Sequence, residues 1–423
     1  MDLKSEKLIF HVDVNSAFLS WEAARMVSEG KEDIRLIPSA VGGSRDRRTS
    51  VILAKSIPAK KFGITTGEPV SMALRKCPGL FLVKPDFPLY AQNSCAFMDI
   101  CRRYTPLLEK YSIDECFLDM TGCCAGSGGI RAAAVETAKR LKNEIRDTLG
   151  FTVNVGIGTN KLLAKMASDL EKPDKVHTIF PDEVKTKMWP LPVGSLFSVG
   201  KSTSAKLNAA YIKTIGDLAR ADEDVVSSLV GPGTAAVICA FARGEGEAEL
   251  ASTPRDAKGY NISTTFEQDI SDRDEALGVI MVLCDSVARR MRENGDRAYC
   301  IGITLRDAGF RNRSHQKMLS RPTDITGEIY RTCSDLFDEL WKGEPVRLIG
   351  VSLTELDKEG ASQISFFDEE ERAKDSAVDK TVDDIISRFG SGTIVRASAL
   401  NTNVRTAGRD RGRGGGEKNG GQR

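Results

Sequence analysis

The order of segments constrains this chain most: two stretches alternate between strand-like and helix-like patterns, and a glycine-punctuated helical stretch separates them. In the first, Leu8 to Val14 reads as a short buried strand holding a single acid, and a helical stretch runs from Ser16 to about Ser28. Ile37 to Pro85 is small, basic and turn-rich. Ser112–Met120 and Phe151–Thr159 read as strands. Between them Val135, Ala138, Leu141, Ile145 and Leu149 recur at helical spacing, with Gly150 as a stop. Strand, helix and strand in that order predict a βαβ unit in a mixed sheet. Pro190 to Gly244 reads as helical throughout, with turns at Gly200, Gly216 and Gly231-Pro232-Gly233, and the small polar stretch Gly244–Pro254 reads as a linker. Alternation then resumes over 257–357. Strands are expected at Asn261–Glu267, Ala298–Arg306 and Val346–Leu353, with helices at about Asp274–Glu293 and Ile325–Leu340. The expected fold class is α/β (α+β) and multidomain. Val404–Arg423 carries seven glycines and no large apolar residue beyond Val404, so a disordered tail is expected there.

At 423 residues, several compact units are expected, and 41% hydrophobic with 28% charged residues describes a soluble globular protein. No apolar run reaches the ~18 residues of a membrane span and no secretory signal is visible, so the chain reads as cytoplasmic. The ten cysteines form no Cys-x-x-Cys pair, and His11, His177 and His315 lie far apart. That spacing argues against a zinc site and for reduced thiols. The net charge of +1 hints at no polyanionic partner, but its distribution does. Between Ser286 and Pro322 nine Lys/Arg (Arg289, Arg290, Arg292, Arg297, Arg306, Arg311, Arg313, Lys317, Arg321) face three acids (Glu293, Asp296, Asp307). A local excess of this kind can neutralise phosphates, although a solvated charged face has the same composition.

Asp13 closes the strand Phe10-His11-Val12-Asp13; alone it could be a helix cap or a turn residue. Asp114-Glu115 lies inside Tyr111-Ser112-Ile113-Asp114-Glu115-Cys116-Phe117-Leu118-Asp119. Neighbouring side chains of a strand point to opposite faces, so both acids serve one site only at a strand end or tight turn. Two acids among apolar residues are costly to bury unpaired, and a divalent cation relieves that cost. Hard oxygen ligands without histidine indicate Mg²⁺.

These residues belong to an ordered series: His11-Val12-Asp13-Val14-Asn15-Ser16-Ala17-Phe18, Val41-Gly42-Gly43-Ser44-Arg45, Ser112-Ile113-Asp114-Glu115, Gly156-Ile157-Gly158-Thr159-Asn160-Lys161-Leu162-Leu163-Ala164-Lys165-Met166-Ala167-Ser168, and Lys172-Pro173. In this order, over about residues 7–357, the chain resembles the Y-family, translesion DNA polymerases, in their bacterial DinB (DNA polymerase IV) branch. The resemblance implies a right-hand polymerase: palm at 1–15 and 85–176, small fingers at 16–84, a helical thumb at 177–244, a linker at 245–256 and an α/β little finger at 257–358. A clamp-binding and helical extension at 359–403 and the tail at 404–423 would follow.

The resemblance further implies template-directed, error-prone addition of deoxynucleoside triphosphates to a primer 3′ end, without proofreading, by a monomer. Asp13, Asp114 and the Val14 carbonyl would hold the nucleotide-bound Mg²⁺, and Glu115 would complete the site of a second, catalytic Mg²⁺. Phe18 matches the steric gate against a ribose 2′-hydroxyl; alone it could be a core Phe. Lys172 matches the lysine that grips the triphosphate; alone it could be a capping lysine. Asn15 stands where many relatives carry another acid that is not a principal metal ligand. Two positions depart from the pattern: Lys60 replaces the usual triphosphate-binding arginine and Ile57 a usual tyrosine. Lysine offers a point charge without a bidentate fork, and isoleucine cannot donate at all, so nucleotide affinity should be reduced.

Phe197-Ser198-Val199-Gly200-Lys201 resembles half of a helix-hairpin-helix, whose backbone N–H groups can bind phosphate without reading sequence. Gln363-Ile364-Ser365-Phe366-Phe367 resembles the peptide with which bacterial polymerases bind the sliding clamp; the bland alternative is packing onto a neighbouring domain or helix. Primer-template DNA, deoxynucleoside triphosphates and the clamp are thus the expected partners. A non-catalytic DNA-binding protein of the same fold would be expected to lack a metal acid, and a two-metal nuclease would need neither gate nor triphosphate lysine.

Overall fold

The computed structural model describes residues 7–45, 47–124, 129–251, 256–357, 369–390 and 392–397. It divides into two compact units, residues 1–46 with 50–254, and residues 47–49 with 255–423. The 363–367 peptide and the 404–423 tail lie outside the described residues.

The first unit is organised around a five-stranded sheet in the order Leu108–Lys110, Glu115–Asp119, Ile9–Val14, Val153–Gly158, Val176–Ile179. The central strand is buried along almost its whole length and pairs antiparallel with both neighbours. The expected βαβ unit is therefore split. The two strands joined by the Ile130–Leu149 helix do not touch, because Ile9–Val14 occupies the place between them. The helix buries Ala133, Ala134, Thr137, Ala138, Leu141 and Ile145 and ends at Gly150, whose φ of 75° is the left-handed geometry that glycine adopts without strain. The Ala17–Ser28 helix starts from Ser16, itself at φ 49°. Ser16, and not Asp13, is thus the residue at the helix start.

A smaller sheet, Ile52–Lys55, Ser39–Gly42 and Phe81–Val83, has its own core of Ala40, Ile52, Ala59, Ile64, Val70, Ala73, Cys77 and Leu80. The five-residue helix Ile57–Lys61 is capped by Ser56, whose hydroxyl accepts the Ala59 N–H at 3.1 Å. Beyond residue 180 the helices Lys201–Ala209, Ile215–Arg220, Glu223–Val230 and Pro232–Ala242 enclose Leu207, Ile215, Leu218, Val226 and Ile238.

The second unit is a four-stranded antiparallel sheet in the order Asn312–Thr323, Arg297–Asp307, Val346–Asp357, Gly259–Ile270, packed with the helices Arg273–Arg292 and Thr326–Leu340. Asn312–Thr323 has no counterpart in the sequence reading. It is an edge strand with mostly exposed side chains, so it carries no apolar alternation. The helix Glu369–Phe389 belongs to this unit and is tied to it by charge. Arg292, nearly buried, pairs with Asp383 at 2.7 Å and Asp379 at 3.3 Å. Asp379 also accepts the Thr326 N–H and a bond from Arg396. Arg292 is thus one of the nine basic residues that faces inward and is not available to a phosphate. No helix among the described residues is long and apolar enough to cross a membrane.

Candidate active site

Antiparallel register places Asp13 opposite Glu115, so the two carboxylates share one face of the central sheet. Asp114 falls in the bend just before the strand begins at Glu115, and its carbonyl accepts the Val14 N–H at 3.0 Å. The Tyr111 and Ser112 N–H groups both turn back to the Glu115 carbonyl, at 3.1 Å each. The adjacent acids thus occupy the strand end that the alternation rule requires of a shared site.

Each carboxylate has a partner. Glu115 Oε2 lies 2.9 Å from His11 Nε2 and is bonded by Lys165 as well. Burial alone would raise the Glu115 pKa; the His11 and Lys165 hydrogen bonds outweigh it and bring the group down to about 2. His11 is buried, and its Nδ1 lies 2.8 Å from Ser168 Oγ. Asp13 is bonded by Lys172, which also pairs with Asp169 at 2.9 Å. Burial still leaves Asp13 above the usual carboxylate range, because Lys172 offsets the lost hydration only in part. Asp114 Oδ1 accepts from the Ser112 hydroxyl at 2.6 Å. No three His, Cys, Asp or Glu side chains among the described residues form a group that could hold a metal ion.

The helix Lys161–Ser168 brings Lys165 and Ser168 to this face. Asn160 caps it by accepting the Leu163 N–H at 2.8 Å. It lies so close to the Val153–Gly158 strand that a Cβ on Gly156 would meet the Ala164 carbonyl oxygen at 2.0 Å, and one on Gly158 the Ala164 nitrogen at 2.7 Å. Asn15 does not take the place of an acid. Its amide donates to Asn154 Oδ1, and its oxygen accepts from Thr152 Oγ1 at 3.0 Å and from the Asp174 N–H at 2.9 Å. Asn154 in turn donates to the carbonyls of Ser168 and Glu171. These bonds fix both ends of the turn that carries Lys172, whose peptide bond to Pro173 is cis.

A cleft of about 440 Å³ joins most of the expected residues: Asp13, Val14, Phe18, Lys60, Asp114 and Lys172 all line it. Glu115 lies beside it through its pairing with Asp13. Phe18 is half-buried and stacks on Tyr90, with ring centroids 4.6 Å apart and planes 12° from parallel. Tyr90 is held by a 2.8 Å bond from its hydroxyl to Glu22. Phe18 is therefore both a cleft wall and part of the core. Sequence reasoning did not single out His11, Lys165, Ser168, Tyr90 or Lys55, another cleft residue. His11, Lys165 and Ser168 stood within the quoted motifs, but Tyr90 and Lys55 gave no signal.

Several solved structures share the fold. A Y-family DNA polymerase chimera of Dbh and Dpo4 superposes with a TM-score of 0.70 at 22% identity, covering 82% of this chain and 99% of that one. An insertion ternary complex of Dbh DNA polymerase gives 0.55 at 22% identity, over 82% and 98%. In sequence, residues 12–169 match the impB/mucB/samB family, residues 181–210 the IMS family HHH motif, and residues 257–366 the impB/mucB/samB family C-terminal domain. DNA polymerase IV of Clostridium acetobutylicum is 42% identical over 395 residues, 93% of this chain and 98% of that protein. DNA polymerase IV 1 of Bacillus subtilis is 34% identical over 399 residues, 93% of each. The fold is that of the Y-family polymerases, and the chain belongs to that family of DNA-directed DNA polymerases, in its DNA polymerase IV branch.

Proposed function

We propose that this polymerase performs error-prone, translesion synthesis by two-metal nucleotidyl transfer, with Asp13, Asp114, Glu115 and the Val14 carbonyl as ligands of two Mg²⁺ ions and with no proofreading step. The observation that carries the reading is the opposition of Asp13 and Glu115 at the edge of a lysine-lined cleft, with Asp114 one residue away. The donor set fits in chemistry: the acids supply hard oxygens, and a divalent cation would take Asp13 and Glu115 over from the lysines that bond them here. When bound, the metal pair supplies activation of the primer 3′ oxygen and stabilisation of the leaving phosphates.

The chain's own residues do the rest. His11 and Lys165 hold Glu115 ionised and oriented. Lys172 lines the cleft on the turn that Asn15 and Asn154 brace, and its ammonium, bonded here to Asp13 and Asp169, would be the group to meet the triphosphate. Phe18, backed by Tyr90, closes the space where a ribose 2′-hydroxyl would sit. Part of the cleft wall comes from a four-residue strand and a five-residue helix. So small a wall offers little surface against which a base pair's shape can be checked, which supports tolerance of damaged templates. Residues 1–15 with 85–176 serve as palm, 16–84 as fingers, 177–244 as thumb and 257–358 as the DNA-gripping little finger. Primer extension across an abasic site, with Mg²⁺ and all four deoxynucleotides, tests the reading. Full extension of an undamaged template, with every primer on the damaged template halting before the lesion, would overturn the translesion assignment.

A further inference from the structure

Lys55 closes the Ile52–Lys55 strand and lines the cleft together with Lys60, Thr66, Phe18 and Lys172. Its ammonium donates to Thr66 Oγ1 at 3.2 Å, a neutral acceptor. Among the described residues, neither Lys55 nor Lys60 is ion-paired with a carboxylate. Glu68, which attracts Lys55 electrostatically, is committed elsewhere: it bonds Lys76 through Oε2 and accepts the Thr65 N–H through Oε1 at 2.9 Å. Partial burial, and then the neighbouring Lys60 ammonium, weaken the hold of Lys55 on its proton. Two cations that repel each other share this wall, neither paired with an acid among the described residues, and an anion in the cleft would relieve their repulsion. Ile57, beside them in the same cleft, has no polar group to offer.

We propose that Lys55 is a nucleotide-positioning residue that, with Lys60, grips the phosphate tail of the incoming deoxynucleoside triphosphate. The inference rests on the polymerase reading and adds to it a phosphate contact that no motif assigns. Two ammoniums on separate elements supply as two point charges what a single guanidinium would supply as a fork. Template phosphate is the competing ligand for Lys55, and the test separates the two.

The full-length protein is compared with Lys55→Met, which keeps the apolar stem, and with Lys55→Arg, which keeps the charge. A hydrogen bond to a charged group contributes about 1.5–3 kcal/mol, so its loss corresponds to roughly tenfold or more. In primer extension with Mg²⁺, Lys55→Met should raise the KM for deoxynucleotide by about that factor with a much smaller change in kcat, and Lys55→Arg should recover most of it. Calorimetric binding of inorganic triphosphate, which needs no turnover, should weaken in Lys55→Met and persist in Lys55→Arg. Affinity for primer-template without nucleotide should not change. Unaltered KM and triphosphate binding in Lys55→Met would overturn the proposal, as would a loss confined to primer-template affinity. Failure of the parent protein to extend a primer would instead count against the polymerase reading, while triphosphate binding would still judge Lys55.

Discussion

Asp13 and Glu115 are partners across one antiparallel strand pair, 102 positions apart in sequence and facing the same side of the sheet. Their positions depend on strand register, and a slip of one residue would send Asp13 and His11 to the opposite face. Asp13→Ala, Asp114→Ala and Glu115→Ala should each abolish primer extension and leave primer-template affinity largely intact, because phosphate contacts supply duplex affinity. Extension near the parent rate in the Asp114 variant would remove it from the metal site.

Phe18→Ala should admit ribonucleotides that the parent rejects, since removing the ring opens space beside the sugar. Because Phe18 stacks on Tyr90, Tyr90→Leu should loosen the same discrimination to a smaller extent. Single-turnover incorporation of a ribonucleotide and its deoxy counterpart gives the ratio. An unchanged ratio in Phe18→Ala would leave the ring a purely structural role.

The double variant Ile57→Tyr with Lys60→Arg should bind deoxynucleotide more tightly than the parent. It gains a hydroxyl donor and a guanidinium fork, and charge-assisted bonds are roughly twice as strong as neutral ones. Apparent affinity measured by pre-steady-state titration checks this, and a flat or weaker value would show that these two positions do not limit binding.

Replacing Phe366 and Phe367 by Ala should abolish binding to a bacterial sliding clamp and its stimulation of synthesis, while unassisted extension persists. Anchoring aromatics of this kind carry most of a peptide's affinity, and tethering raises effective concentration at the primer end. A lower melting temperature together with loss of unassisted activity would place the two rings in a core.

Asp379→Ala should destabilise the second unit by about 3 kcal/mol, because it leaves Arg292 and Arg396 short of a buried partner. Urea unfolding monitored in parent and variant measures the difference. No change in midpoint would mean that Asp383 alone suffices for Arg292.

Much of this was legible in the sequence, for reasons that differ by element. The Ile130–Leu149 helix announced itself by its spacing and by Gly150. The acids stood out because Asp114 and Glu115 interrupt an apolar run. The Asn312–Thr323 strand did not, because an exposed edge strand needs hydrogen bonds from one neighbour and no apolar stripe. The contacts that tune the site were hidden by distance along the chain. His11 meets Ser168 across 157 positions and Glu115 across 104, and no local pattern encodes such a meeting. Asn15 looked like a lost acid; only the fold shows it bracing the Lys172 turn.

Gly156 and Gly158 offer no reactive side chain, yet they act as the gauge of the candidate site. Their missing side chains set how closely the helix bearing Lys165 approaches the sheet bearing Glu115. Replacing either with alanine would not delete a reacting group; it would displace a whole element and move the ammonium away from its carboxylate. An inactivating change at these positions would leave every acid, lysine and aromatic of the site in the sequence, so a catalogue of site residues would pass a molecule that geometry has already disarmed.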